Sequence, residues 1–176
     1  MVTILQEPNE ILRTIAHEVP IQDIQSKAVK KVLADMKKGL YSQSDGVAIA
    51  APQIGIPMRI FMVAGSVFQK KKNPSEPTTE PDRVFINPIF TKLSKETKWM
   101  PGEGCLSVRW KYGKTKRHIR ASVEAYNEQG EKFGIGASGL LAHICQHEID
   151  HLNGILFIDH AKDVKDLPAE EPTDHT

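Results

Sequence analysis

The sequence predicts an α+β domain, and two observations carry that expectation. Segments with helical apolar spacing lie toward the two ends of the chain, at residues 10–16, 24–40 and 139–152, while short strand-like segments occupy the middle. The last helical segment holds Gln146-His147-Glu148-Ile149-Asp150-His151, which reads H-E-x-x-H.

The elements follow in order. Val29, Val32, Leu33, Met36 and Leu40 form one stripe over 24–40, and Gly39 and residues 42–46 break it. Residues 47–51 are a small apolar run ending at Pro52-Gln53, and 59–63 read as a buried strand. Residues 69–82, with Lys70, Lys71, Lys72 and three prolines, read as a solvated surface loop. Residues 84–86 and 89–93 look like two short strands interrupted at Asn87-Pro88. Residues 122–126 alternate as a strand, turn near 127–130, and take 132–135 as hairpin partner. In 139–152, Leu140, Leu141, Ile144 and Leu152 recur at helical spacing. The run 109–120 carries seven basic residues and two aromatics and reads as a solvated loop before a strand, or as a rim that attracts acidic partners. We divide the chain into a domain over 1–161 and a polar tail over 162–176, expected to fray.

Composition excludes several classes. The 176 residues are 40% hydrophobic and 26% charged with a net charge of +1, so no basic field argues for nucleic acid. No apolar run approaches the roughly 20 residues that a membrane helix needs. The first 20 residues lack the apolar stretch of a signal peptide, so the expected location is the cytoplasm. Cys105 and Cys145 are the two cysteines; in a reducing compartment a metal or catalytic role suits at least one of them better than a disulfide.

Residues four apart on a helix share a face, so His147 and His151 can grip one metal ion while Glu148 serves water as general base. A catalytic metal needs a third protein ligand. His143 continues the stripe, but it lies about 12 Å from His151 along the axis; it is read as a pocket-lining or packing residue. The longer metzincin pattern fails, because Phe157 stands where its final histidine belongs. Glu171 has the spacing of a thermolysin-type ligand, yet Pro168 and Pro172 flank it. Cys145 sits two residues before His147, roughly 200° around the helix, and is read as a buried small hydrophobe. Cys105 lies in Gly102-Glu103-Gly104-Cys105-Leu106-Ser107, where glycines let the backbone approach an ion or substrate.

Three motifs in order bring in a family. Gly46-Val47-Ala48-Ile49-Ala50-Ala51-Pro52-Gln53, then 103–107 and 146–151, resemble the G-x-G-x-A-A-P-Q, E-G-C-L-S and Q-H-E-x-D-H motifs of peptide deformylase. The resemblance covers about 4–159. It implies antiparallel sheets packed around a central C-terminal helix carrying H-E-x-x-H. It implies Cys105, His147 and His151 as ligands of one divalent ion, Fe(II) in the cell, with Zn, Ni or Co able to substitute. Glu148 becomes the general base and acid, and Gln53 with the Leu106 N–H stabilises the oxyanion. Gly46, Val47, Ala48, Glu103, Gly104, Leu140, His143 and Ile144 become substrate-binding residues. The implied substrates are N-formylmethionyl peptides; a monomer is the default state, and transient ribosome contact is suggested only by the basic run 109–120, because the tail lacks the basic amphipathic helix that some members use for docking.

The chain departs from the family at Ala48, which replaces a glycine, and at Arg109-Trp110, where the family often has proline and glycine. The Ala48 methyl is expected to narrow the groove or to exclude a positive φ, reducing or altering activity. Alternatives are a relative acting on another N-acylated substrate, a thermolysin-type peptidase using Glu171, and a non-catalytic metal-stabilised binding protein.

Overall fold

The structure, a computed structural model, describes residues 2–69 and 80–166. Two helices, α1 (Lys27–Tyr41) and α2 (Gly139–Leu152), accompany eight strands: β1 (Ala48–Ala50), β2 (Ile60–Val63), β3 (Arg83–Leu93), β4 (Thr97–Cys105), β5 (Val108–His118), β6 (Arg120–Tyr126), β7 (Lys132–Ser138) and β8 (Lys162–Asp166). They form a five-stranded sheet in the order β1-β2-β3-β6-β7 and a three-stranded sheet in the order β4-β5-β8, every pairing antiparallel. The expected α+β architecture is present.

The larger sheet is covered on both faces, which explains why β2 is buried at every residue. Successive strand residues point to opposite faces. Ala48, Ala50, Phe61, Val63 and Phe85 pack with Ala142, Ile144, Cys145, Ile149 and Leu152 of α2. Ile49, Ile60, Met62 and Val84 pack with Val29, Met36 and Leu40 of α1. The Phe61 and Phe85 rings stack with centroids 4.4 Å apart. Helix α2 therefore lies against the sheet with one face and can present the other elsewhere.

Several elements differ from expectation. Residues 10–16 hold only a 3-10 turn, Glu10–Arg13, capped by the Asn9 side chain. The two strands expected around Asn87-Pro88 are one strand, β3, with an irregularity there. Asn87 takes a φ of 51°, and its side chain accepts from the Val19 N–H and donates to the Val19 carbonyl, tying the N-terminal segment to β3, while its own N–H bonds the Arg59 carbonyl. Residues 109–120 are no loop: nearly all of them lie in β5, paired to β4. The tail reading also changes, because 162–166 form β8 against β5. Ion pairs Lys111–Asp166 and Lys114–Asp163 hold an edge strand with no fully buried residue. Most of the expected 69–82 loop, and 167–176 of the tail, lie outside the described residues. Among the described residues no helix is long and apolar enough to cross a membrane.

Asp82, just before β3, ties the last turn of α1 to the segment that follows β2. Asp82 accepts from the Tyr41 hydroxyl at 2.5 Å and the Gly65 N–H at 3.0 Å, and lies 2.9 Å from Lys37. Burial pushes its carboxyl pKa up, but these donors outweigh burial and hold it below the usual range. A depressed folded pKa contributes stability above the unfolded value near 3.9 and loses it as pH falls through the folded value. Asp82→Asn is expected to cost about 1 kcal/mol at neutral pH. In urea denaturation the gap from wild type should close below about pH 4; a gap independent of pH would contradict this role.

Candidate metal centre

Helix α2 brings His147 and His151 together with ring centroids 4.9 Å apart. The end of β4 delivers Cys105, whose Sγ is 3.2 Å from His151 Nε2. The Cys105 sulfur and one nitrogen from each imidazole all lie within 4.8 Å of one another. Both nitrogens and the sulfur suit a transition-metal ion, and the sulfur also receives the Ser107 N–H at 3.4 Å. This donor set fits the divalent ion expected from the sequence.

Glu103 organises the set. Its carboxylate is buried and receives Arg117 Nη2 at 2.5 Å and Nε at 3.1 Å. The Thr115 hydroxyl and His143 Nε2 reach it as well. His147 Nδ1 lies 2.6 Å from its other oxygen. A carboxylate only accepts, so Nδ1 carries the proton and Nε2 is left as the donor toward an ion. Burial raises the Glu103 pKa, yet His143, His147 and Arg117 hold it far below the carboxylate range. Burial opposes charge on His147, but Cys105 and Glu103 outweigh it and raise its pKa. Burial and His147 push His151 well below its usual value. Arg117 also reaches Asp150 of α2 at 2.5 Å.

Glu148 is 4% exposed, and its Oε2 is buried without a hydrogen-bond partner. Burial, assisted by Glu103 and Asp150, pushes its carboxyl up to about 7. Gln53 sits in the turn Ala51–Ile54; its Oε1 accepts from the Ala50 N–H at 2.8 Å. That fixes Nε2, which lies 3.2 Å from Ser107 Oγ and 3.6 Å from Cys105 Sγ. Leu106 lies in the turn between β4 and β5, and its carbonyl accepts from Gln6. Gln146 bonds both the N–H and the carbonyl of His118, locking α2 to the β5–β6 junction.

A groove of about 470 Å³ opens beside these groups, a size usual for ligand sites. Gly46, Val47, Ala48, Glu103, Gly104, Leu140, His143 and Ile144 all border it. Glu103 turns its carboxylate to Arg117 and the histidines, so its pocket role is accompanied by a structural one. At Gly104 an added Cβ would meet the Tyr112 ring at 2.7 Å, so packing against β5 also favours glycine there. At Gly46 a Cβ would meet the Leu40 carbonyl at 2.8 Å. Ala48 is in extended strand and belongs to the core cluster under α2, so the expected clash with a positive φ does not arise. Cys145 is fully buried away from the centre, and burial pushes its thiol up to about 12. Glu171 lies outside the described residues.

Residues 1–166 match the family model described as polypeptide deformylase. The chain is 39% identical over 165 residues to peptide deformylase of Neisseria meningitidis serogroup C, covering 94% of this chain and 89% of that one. It is 41% identical over 162 residues to the enzyme of Pseudoalteromonas translucida, covering 92% and 87%. The fold is similar to a class I type b peptide deformylase of Acinetobacter baumannii bound to Met-Ala-Ser, with TM-score 0.77, 33% identity and coverage of 90% and 97%.

The chain belongs to the polypeptide deformylase family. These metal-dependent hydrolases remove the N-formyl group from nascent peptides. Deformylase chemistry thus replaces the thermolysin-type and non-catalytic alternatives. Arg117, Thr115, Asp150 and Ser107 were not singled out in the sequence, although all four support the centre. Only the alternation of β5, with Thr115 and Arg117 inward between exposed Lys114 and Lys116, could have signalled two of them. Arg117→Met leaves Glu103 buried with its main charge partner gone, and is expected to cost about 3–5 kcal/mol by urea denaturation. A loss under about 1 kcal/mol would contradict the pairing.

Proposed function

We propose that Cys105, His147 and His151 hold one divalent ion, Fe(II) in the cell with Zn, Ni or Co as substitutes, and that Glu148 moves the proton in deformylation. The buried Glu148 carboxyl, whose Oε2 has no hydrogen-bond partner, beside three convergent donors carries this reading. A thiolate with two imidazoles suits any of these metals. When bound, the ion supplies a Lewis acid that acidifies water and polarises a carbonyl.

The chain's own residues do the rest. Glu148 takes a proton from the water that attacks the formyl carbon. As that carbon becomes tetrahedral its oxygen gains charge, and Gln53 Nε2 and the Leu106 N–H donate to it. The carbon–nitrogen bond then breaks, Glu148 returns the proton to the departing amine, and formate leaves.

The methionine side chain enters the groove between Val47, Leu140, His143 and Ile144, where an unbranched thioether fits an apolar lining. The peptide backbone adds to the free edge of β1. Val47 O accepts from Ala64 N at 2.9 Å, so the antiparallel alternation points the Ala48 N–H and carbonyl away from β2. The Met-Ala-Ser bound to the Acinetobacter baumannii protein supports a peptide of this kind. The activity belongs in the cytoplasm, on nascent chains that a monomer meets by transient contact at the ribosome.

The test is formate release from formyl-Met-Ala-Ser by anaerobically prepared protein loaded with Fe(II) or Ni(II). Glu148→Ala is expected to lower kcat by about 10²–10⁴ with metal content unchanged. Undiminished release from the variant, or none from metallated wild type, would refute the assignment.

A further inference from the structure

Among the described non-glycine residues, three have a positive φ: Asn87, Asp163 and Trp110. Asn and Asp tolerate that region through their short polar side chains, whereas a bulky aromatic does so at an energetic cost. Such strain persists only where surrounding contacts impose it. Trp110 has φ 64° and is 45% exposed, so core packing does not impose it. Its neighbour does: Arg109 Nη1 lies 2.9 Å and 3.2 Å from the two Asp45 oxygens, and Nη2 donates to Gln43. The Arg109 guanidinium also stands 5.5 Å from the Trp110 ring centre. This clasp ties the segment before β1 to the start of β5, and Asp45, Arg109 and Trp110 all border the groove.

The direction of the peptide places the clasp. The reacting end is marked by Gln53 and Cys105, beyond the C-terminal end of β1. A peptide with its formyl group there and its backbone on the β1 edge runs antiparallel to β1, toward Asp45. Asp45, Gly46 and Val47 lead into β1, so the clasp lies at the end of the edge toward which the peptide's later residues run. Residues following the methionine therefore arrive at Arg109 and Trp110.

Resting on the deformylase reading above, we propose that Trp110, posed by the Arg109–Asp45–Gln43 clasp, is a specificity-determining platform for the side chains downstream of formylmethionine. It favours apolar and aromatic residues there. The indole face, 45% exposed on the groove wall, offers stacking area.

The experiment compares kcat and KM for formyl-Met-Ala and for formyl-Met-Xaa-Xaa peptides with Phe, Ser or Asp at the second and third positions. Wild type is expected to favour Phe over Ser by about three- to ten-fold in kcat/KM at one of those positions, through KM. Trp110→Gly should abolish that ratio while its Tm stays level or rises, because glycine adopts the local φ freely. Arg109→Ala, which keeps the ring but releases its pose, should shrink the ratio by at least half. The same Phe-to-Ser ratio in Trp110→Gly as in wild type overturns the proposal, as does a fall in Tm without a change in that ratio. If wild type releases no formate even from formyl-Met-Ala, the deformylase reading falls and this subsite with it.

Discussion

The Glu103 carboxylate sits inside the protein with donors arriving from β5 and α2, and a buried charge of this kind is tolerable only because those donors meet it. Arg117 supplies the opposite charge and links onward to Asp150, one residue before His151. The result joins the two sheets across the helix. The same carboxylate that anchors β4 to β5 also turns the His147 ring so that Nε2 faces Cys105 and His151. Stability and ligand geometry are therefore one interaction at this point. Gln146 adds a second tie between α2 and the β5–β6 junction, holding the helix at a fixed height against the strand that carries Arg117.

The groove follows from a different constraint, the edge position of β1. A strand with a neighbour on one side only exposes alternate backbone groups, and unprotected edges invite pairing with another chain. Here that edge is short and faces a walled groove, so it is available to an extended peptide and shielded from a second sheet. Gly46 lets the chain pass close under the Leu40 carbonyl as it enters this edge. Ala48 takes part in the core below without distorting the strand, which removes the conformational ground for expecting altered activity and leaves only its position on the groove wall.

Helix α2 was legible because its apolar spacing and both histidines lie in one element, where period alone fixes which residues share a face. The larger sheet was legible in part for a related reason: strands buried on both faces read as continuous apolar runs. The β4–β5 hairpin was not. Its inward positions, Thr115 and Arg117, are polar because they serve Glu103, so the alternation carries no hydrophobic contrast and resembles a solvated loop. The partnership of Glu103 with Arg117 spans 14 residues and two strands, a relation that only the register reveals. Strand β8 was hidden because it is polar, exposed and held by cross-strand ion pairs. At Asn87-Pro88 the punctuation was real, but it is an irregularity in the β3–β6 register, after which pairing resumes and the strand continues.

The most direct test of the account is the affinity of folded Glu103→Gln for Zn(II), measured by competition with a chelator against wild type. The variant keeps an acceptor for His147 but removes the charge that fixes the ring, and affinity is expected to fall about 10- to 100-fold. Affinity equal to that of wild type in a folded variant would contradict the claim that this carboxylate organises the metal centre.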